Sequence, residues 1–100
     1  MTERIYWLVK SPKTKLFNSV GLSDIWEFKN SKRHSIHKAT FPIELPETII
    51  KCFPESKIIL DPYMGTGTTF EACKNLNKDF IGFEISKEYC EIAEKRISEL

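Results

Sequence analysis

The stretch Lys57-Ile58-Ile59-Leu60-Asp61-Pro62-Tyr63-Met64-Gly65-Thr66-Gly67-Thr68-Thr69 constrains this chain more than any other. Three aliphatic residues end on an acid and two glycines follow. Thr69, Ala72, Cys73 and Leu76 then recur at i, i+3, i+4 and i+7. The pattern predicts a short strand of a buried parallel sheet, a glycine turn and an amphipathic helix. Upstream, Ile49, Ile50 and Phe53 give a helix its apolar side, with Pro46 at its first position and Pro54 ending it. Downstream, Asn77-Lys78-Asp79 makes a turn and Phe80 to Ile85 a second strand. Ser86 caps a last helix with the stripe Tyr89, Ile92, Ala93 and Ile97. Strand, glycine loop, helix, strand, helix is a βαβα unit, so the fold class is α/β with a parallel sheet and flanking helices.

In such sheets a glycine turn at the end of the first strand lets backbone N–H groups and a helix N-terminus face a ligand. Gly65 and Gly67 suit close approach. Thr68 and Thr69 offer hydroxyls at the helix start to a carboxylate or phosphate. Glu84 ends the second strand 17 positions after Gly67, where an acid can accept hydrogen bonds from both hydroxyls of a ribose. Asp61 places a carboxylate near the loop that can hold an amine. The implied ligand carries an amine, a carboxylate and a ribose. A dinucleotide fits less well, because Phe70 occupies the third glycine position of G-x-G-x-x-G.

The first forty residues differ in character. Residues 1–40 hold eight Lys/Arg against three Asp/Glu, net +5, whereas residues 41–100 hold seven against eleven, net −4. The basic end suits either a polyanion or a solvated surface. Ile5-Tyr6-Trp7-Leu8-Val9 predicts a strand covered on both sides over Glu3 to Lys10, and Asp24-Ile25-Trp26-Glu27-Phe28 a second one, with both tryptophans in the core. Residues 29–40 predict a basic loop, whose His34 and His37 lack a third metal ligand. Cys52, Cys73 and Cys90 match no metal or disulfide spacing and are expected as reduced thiols, largely buried. The longest apolar runs fall far short of the roughly 20 residues of a membrane span. The N-terminus lacks the pattern of a signal peptide, so a cytoplasmic location is expected.

Asp61 to Thr69 resembles the cofactor motif of bacterial DNA methyltransferases that modify the exocyclic amino group of adenine or cytosine, enzymes associated with restriction–modification. His37-Lys38-Ala39-Thr40-Phe41-Pro42-Ile43-Glu44-Leu45-Pro46 is similar to the segment before that motif in permuted members, although Lys38 stands where many relatives have proline. Ile81-Gly82-Phe83-Glu84-Ile85, with Tyr89 and Arg96-Ile97, is similar to the family's usual ending. The resemblance implies a partial Rossmann-like, S-adenosylmethionine-dependent methyltransferase fold. It also implies one partial domain over residues 1–100: a basic strand and loop segment over 1–40 and a cofactor-binding unit over 41–100. Asp61, Pro62, Tyr63, Gly65, Thr66, Gly67, Thr68 and Thr69 would form the loop around the methionine portion of S-adenosylmethionine. Glu84 would bind the ribose, Ile85 would flank the adenine, and Phe41 and Pro42, with Leu45 nearby, would complete the pocket.

The family's catalytic motif is Asp, Asn or Ser followed by Pro-Pro and an aromatic residue, and no Pro-Pro occurs in this sequence. Ser11-Pro12-Lys13-Thr14 is the nearest match and is expected as a turn, since it lacks the second proline and the aromatic ring that stacks on an extruded base. No catalytic and no metal-binding residue is therefore assigned. The chain is expected to be the cofactor-holding part of a DNA methyltransferase, a split subunit or truncated product. It would need a catalytic polypeptide or self-association, meet DNA through the complete enzyme, and have no membrane partner. The alternative is a non-catalytic S-adenosylmethionine-binding or protein-interaction module. An enzyme acting on RNA or a small molecule is disfavoured by the Phe41-Pro42 segment and by the lack of an acceptor site.

Overall fold

The computed structural model of the chain describes residues 4–14, 23–28 and 41–100. Its elements run α1 (Glu44–Lys51), β1 (Ile58–Asp61), α2 (Thr68–Asn75), β2 (Asp79–Gly82) and α3 (Lys87–Ser98). β1 and β2 pair in parallel, from Ile58 opposite Asp79 to Asp61 opposite Gly82. Parallel neighbours cannot be joined by a tight turn, and α2 is the crossover that returns the chain.

α1 starts two residues earlier than the sequence pattern suggested. Pro46 is its third residue, still in the first turn, where backbone N–H groups have no intrahelical acceptor. The turn expected at Phe41-Pro42 is present: the Leu45 N–H donates to the Pro42 carbonyl at 3.1 Å. Ile50, Ala72 and Cys73 form the buried centre, and Ile43, Ile59, Leu76 and Phe80 pack around it. Phe70 and Phe80 join this layer with ring centroids 4.4 Å apart. One face of the β1–β2 pair, carrying Ile59 and Phe80, is thus covered by α1 and α2.

The other face is not. Ile58, Leu60 and Ile81 are exposed, Leu60 by 60%, which corrects the expectation of a sheet buried on both sides. A run of aliphatic residues reports that a strand can be covered twice, while the cover must come from another element, and none of the described residues supplies it. The N-terminal strands are corrected in the same way. Residues 4–9 and 25–28 carry no regular secondary structure, and Ile5, Tyr6, Leu8 and Ile25 are exposed. A strand exists through its ladder partners, and no described strand lies beside these segments. Trp7 is half exposed and touches Phe53 at 6.2 Å between ring centroids, whereas Trp26 meets Phe28 and donates to the Ser23 carbonyl at 2.8 Å. Ser11-Pro12-Lys13-Thr14 does form a turn, closed by Thr14 N–H to the Ser11 carbonyl at 3.0 Å. His34, His37, Lys38 and the connection over residues 15–22 lie outside the described residues.

Lys78, in the turn before β2, is tied to the α1–β1 connection: its Nζ donates to the Pro54 and Ser56 carbonyls at 2.9 and 2.6 Å. Ser86 caps α3 as expected, its Oγ accepting the Tyr89 N–H at 3.3 Å. The three cysteines are free, Cys52 and Cys73 buried and Cys90 half-buried. Burial pushes the Cys73 thiol up, the nearby Asp61 carboxylate adds to the effect, and Lys78 opposes it.

Candidate functional site

β1 and β2 run in the same direction, so the segments that follow them, 62–67 and 83–86, emerge at one edge. Backbone hydrogen bonds stitch these segments together: Phe83 N–H donates to the Asp61 carbonyl and Met64 N–H to the Phe83 carbonyl, both at 3.0 Å. β2 stops at Gly82, so Glu84 lies in the loop beyond the strand, correcting its expected place at the strand end. That displacement gives it a second task. Glu84 Oε1 accepts the Gly65 N–H at 3.1 Å, and Oε2 accepts the Ser86 N–H at 2.8 Å. One carboxylate thereby fixes the glycine loop to the start of α3. Each of its oxygens has further acceptor capacity, so these bonds leave room for a ligand hydroxyl.

The loop takes its shape from Gly65 and Gly67, at φ +55° and +92°. A side chain at Gly65 would meet nothing within 4 Å, whereas one at Gly67 would stand 3.3 Å from Ala93 Cβ. Gly65 therefore borders open space and Gly67 rests against α3. Asp61 Oδ1 accepts the Tyr63 N–H at 2.9 Å, turning the chain out of β1. α2 begins at this edge with no side-chain cap, and its first N–H groups, which lack intrahelical acceptors, make it favourable for anionic groups. A half-buried carboxylate, an open glycine backbone and a helix start can hold a ligand with hydroxyls and a carboxylate.

The sequence-predicted residues do not all take the expected posture. Asp61, Gly65, Thr66, Gly67 and Glu84 come together. Thr68 is buried, and its hydroxyl accepts from Arg96 at 3.1 Å. Thr69 is half-buried. Pro62, Tyr63 and Ile85 are exposed, Tyr63 by 88%. Phe41 and Pro42 lead into α1, and no hydrogen bond among the described residues ties them to the loop. Behind the loop stand Glu71, which the sequence did not single out, and Arg96, which belongs to the family-like ending but had no role assigned. Glu71 falls at i+3 from Thr68 on the buried side of α2, and a carboxylate on a buried helical face signals that a cation must meet it.

Comparison with known proteins places this geometry in context. A family model described as DNA methylase matches residues 1–95. The chain belongs to this DNA methylase family. It is 40% identical over 80 residues to the Type II methyltransferase M.BglII of Bacillus subtilis, covering 75% of the chain and 22% of that protein. It is 38% identical over 98 residues to the orphan methyltransferase M.BamHII of Bacillus amyloliquefaciens, covering 89% of the chain and 37% of that protein. The methylase chain thus spans well under half the length of these curated relatives. Among solved structures, the crystal structure of the M1.HpyAVI-SAM complex superposes with a TM-score of 0.68 at 38% identity, over 83% of this chain and 43% of that one. The methyltransferase α/β fold expected from the sequence, a parallel sheet with flanking helices, is therefore the fold observed. No helix among the described residues is long and apolar enough to cross a membrane.

Proposed function

We propose that this chain is the S-adenosylmethionine-binding portion of a site-specific DNA methyltransferase acting on the exocyclic amino group of adenine or cytosine, completed by a polypeptide that carries the Pro-Pro-aromatic motif. The observation that carries the proposal is the Gly65–Glu84 hydrogen bond, which joins an open glycine loop and an acidic loop at one edge of a parallel pair. The likeness to a methyltransferase solved with SAM supports it.

The residues present suit the cofactor. The Thr66 N–H, beside the N-terminus of α2, would receive the methionine carboxylate. Asp61 would draw the methionine amine, and Thr69 would add a hydroxyl. Glu84 would accept hydrogen bonds from the ribose, with Ile85 against the adenine. Pro62, Tyr63, Phe41 and Pro42 would close the outer rim. Bound there, the cofactor supplies a methyl group on a sulfonium, whose transfer needs alignment more than a strong base. What the chain provides is orientation and charge placement; positioning of an extruded base falls to the completing polypeptide. The bare outer face of the sheet, Ile58, Leu60 and Ile81, suits contact with that polypeptide, since complete burial of each such side chain is worth about 1.5–3 kcal/mol.

Calorimetry with S-adenosylmethionine tests the first part, and methylation of DNA after mixing with a polypeptide bearing the Pro-Pro-aromatic motif tests the second. Binding together with restored methylation supports the proposal. Binding without restoration by any such polypeptide favours a cofactor-binding module, and absence of binding refutes the assignment of the pocket.

A further inference from the structure

Behind the glycine loop, on the side formed by α3, lies a charged group with no place in the ligand assignments above. Arg96 Nε donates to Glu71 Oε2 at 3.0 Å, and Nη2 reaches the same oxygen. Nη1 donates to Thr68 Oγ1 at 3.1 Å and to the Thr66 carbonyl at 3.4 Å. We infer that Arg96 is a positioning residue for the glycine loop, holding Thr66 to Thr68 from behind in the conformation that receives the cofactor. The inference rests on the cofactor assignment of that loop.

Three features of the geometry support it. Arg96 shares a face of α3 with Ala93 and Ile97, and these two lie 3.3 and 3.7 Å from where a side chain at Gly67 would stand, so one helical face backs the whole loop. The front of the loop is fixed by Glu84 through the Gly65 N–H, and Gly67 by its N–H on the Met64 carbonyl at 3.0 Å, which leaves Thr66 and Thr68 to be held from the rear. A guanidinium is suited to this place, because its planar fork can serve the Glu71 carboxylate, a hydroxyl and a carbonyl at once, whereas an ammonium is a single point charge. Glu71, in the first turn of α2, keeps the fork oriented and compensates its charge in a buried setting.

The test compares the full 100-residue chain with Arg96→Lys and with the double variant Glu71→Met/Arg96→Met. It uses amide resonances, thermal unfolding and calorimetry with S-adenosylmethionine. An apolar pair of similar volume commonly replaces a buried ion pair without loss of stability, so the double variant separates stability from positioning. It is expected to unfold at or above the wild-type temperature. Its Gly65, Thr66 and Gly67 resonances should move while that of Phe80 stays. Its cofactor affinity should fall about tenfold if the loop is then competent about a tenth of the time. Arg96→Lys keeps the charge and loses the fork, and should show the same loop shifts even if the double variant fails to fold. Loop resonances at their wild-type positions in Arg96→Lys, with wild-type affinity, would overturn the inference. If the wild-type chain binds no S-adenosylmethionine, the cofactor assignment fails by itself, and the loop resonances still decide whether Arg96 holds the loop.

Discussion

Replacing each loop glycine by alanine should separate stability from binding. At Gly67 the backbone sits at φ +92°, outside the left-handed region near +50 to +70° that L-residues tolerate, and holding alanine there costs of order 1–3 kcal/mol. The added methyl would stand 3.3 Å from Ala93 Cβ and 3.6 Å from Ala93 Cα. α3 must then yield by a few tenths of an ångström, toward the low end of the roughly 1–3 kcal/mol that overpacking costs. Together Gly67→Ala should destabilise the chain by about 2–4 kcal/mol, lowering its melting temperature by at least about 8 °C at this size. Gly65, at φ +55°, lies inside the left-handed region, and its added methyl meets nothing within 4 Å. Gly65→Ala should cost only about 1–2 kcal/mol. That methyl enters the space proposed for the cofactor, so its main effect should be on binding. Urea unfolding followed by circular dichroism at the helical band measures the first quantity, and calorimetry the second. Gly67→Ala within about 0.5 kcal/mol of wild type, or Gly65→Ala as the more damaging change, would refute the packing argument.

Glu84→Ala should weaken S-adenosylmethionine binding by about ten- to a hundredfold, the range set by loss of hydrogen bonds to a charged acceptor, with Glu84→Gln between it and wild type; calorimetric titration measures both. Ser86→Ala removes the cap that accepts the Tyr89 N–H and should cost about 1 kcal/mol in urea unfolding, whereas Ser86→Asp should retain most of it. The raised Cys73 thiol makes stability fall on the alkaline side. Above about pH 8.5 the unfolded thiol releases its proton before the folded one, so the unfolded state gains until the pH passes the higher folded value. Urea midpoints across that window should therefore decline less in Cys73→Ala than in wild type, and parallel declines would count against the burial argument.

The local pattern carried the order of elements in residues 41–100. The apolar run into Asp61, the two glycines and the i, i+3, i+4 spacing after Thr68 were enough for strand, loop and helix. Ser86 announced the start of α3 because a hydroxyl at an N-cap acts on a neighbour three residues away. The family was legible for the same reason, since its motifs are contiguous. The strands expected at Ile5 to Val9 and Asp24 to Phe28 failed because β-propensity describes a surface that fits a sheet and cannot supply the neighbouring strand. Glu84 was recognised by type and spacing, while its hold on Gly65 and Ser86 required knowing where β2 stops. Thr68 was recognised as a hydroxyl at a helix start, while its bond from Arg96 required knowing how α3 packs. By itself, the sequence determined which short segments prefer strand, turn or helix and where a glycine backbone is left open, because those preferences act over a few residues. Only the tertiary structure decided that one sheet face is covered and the other bare, and that Glu71 and Arg96, 25 positions apart, meet behind the loop. Such contacts depend on how α2 and α3 pack, and no local preference encodes that.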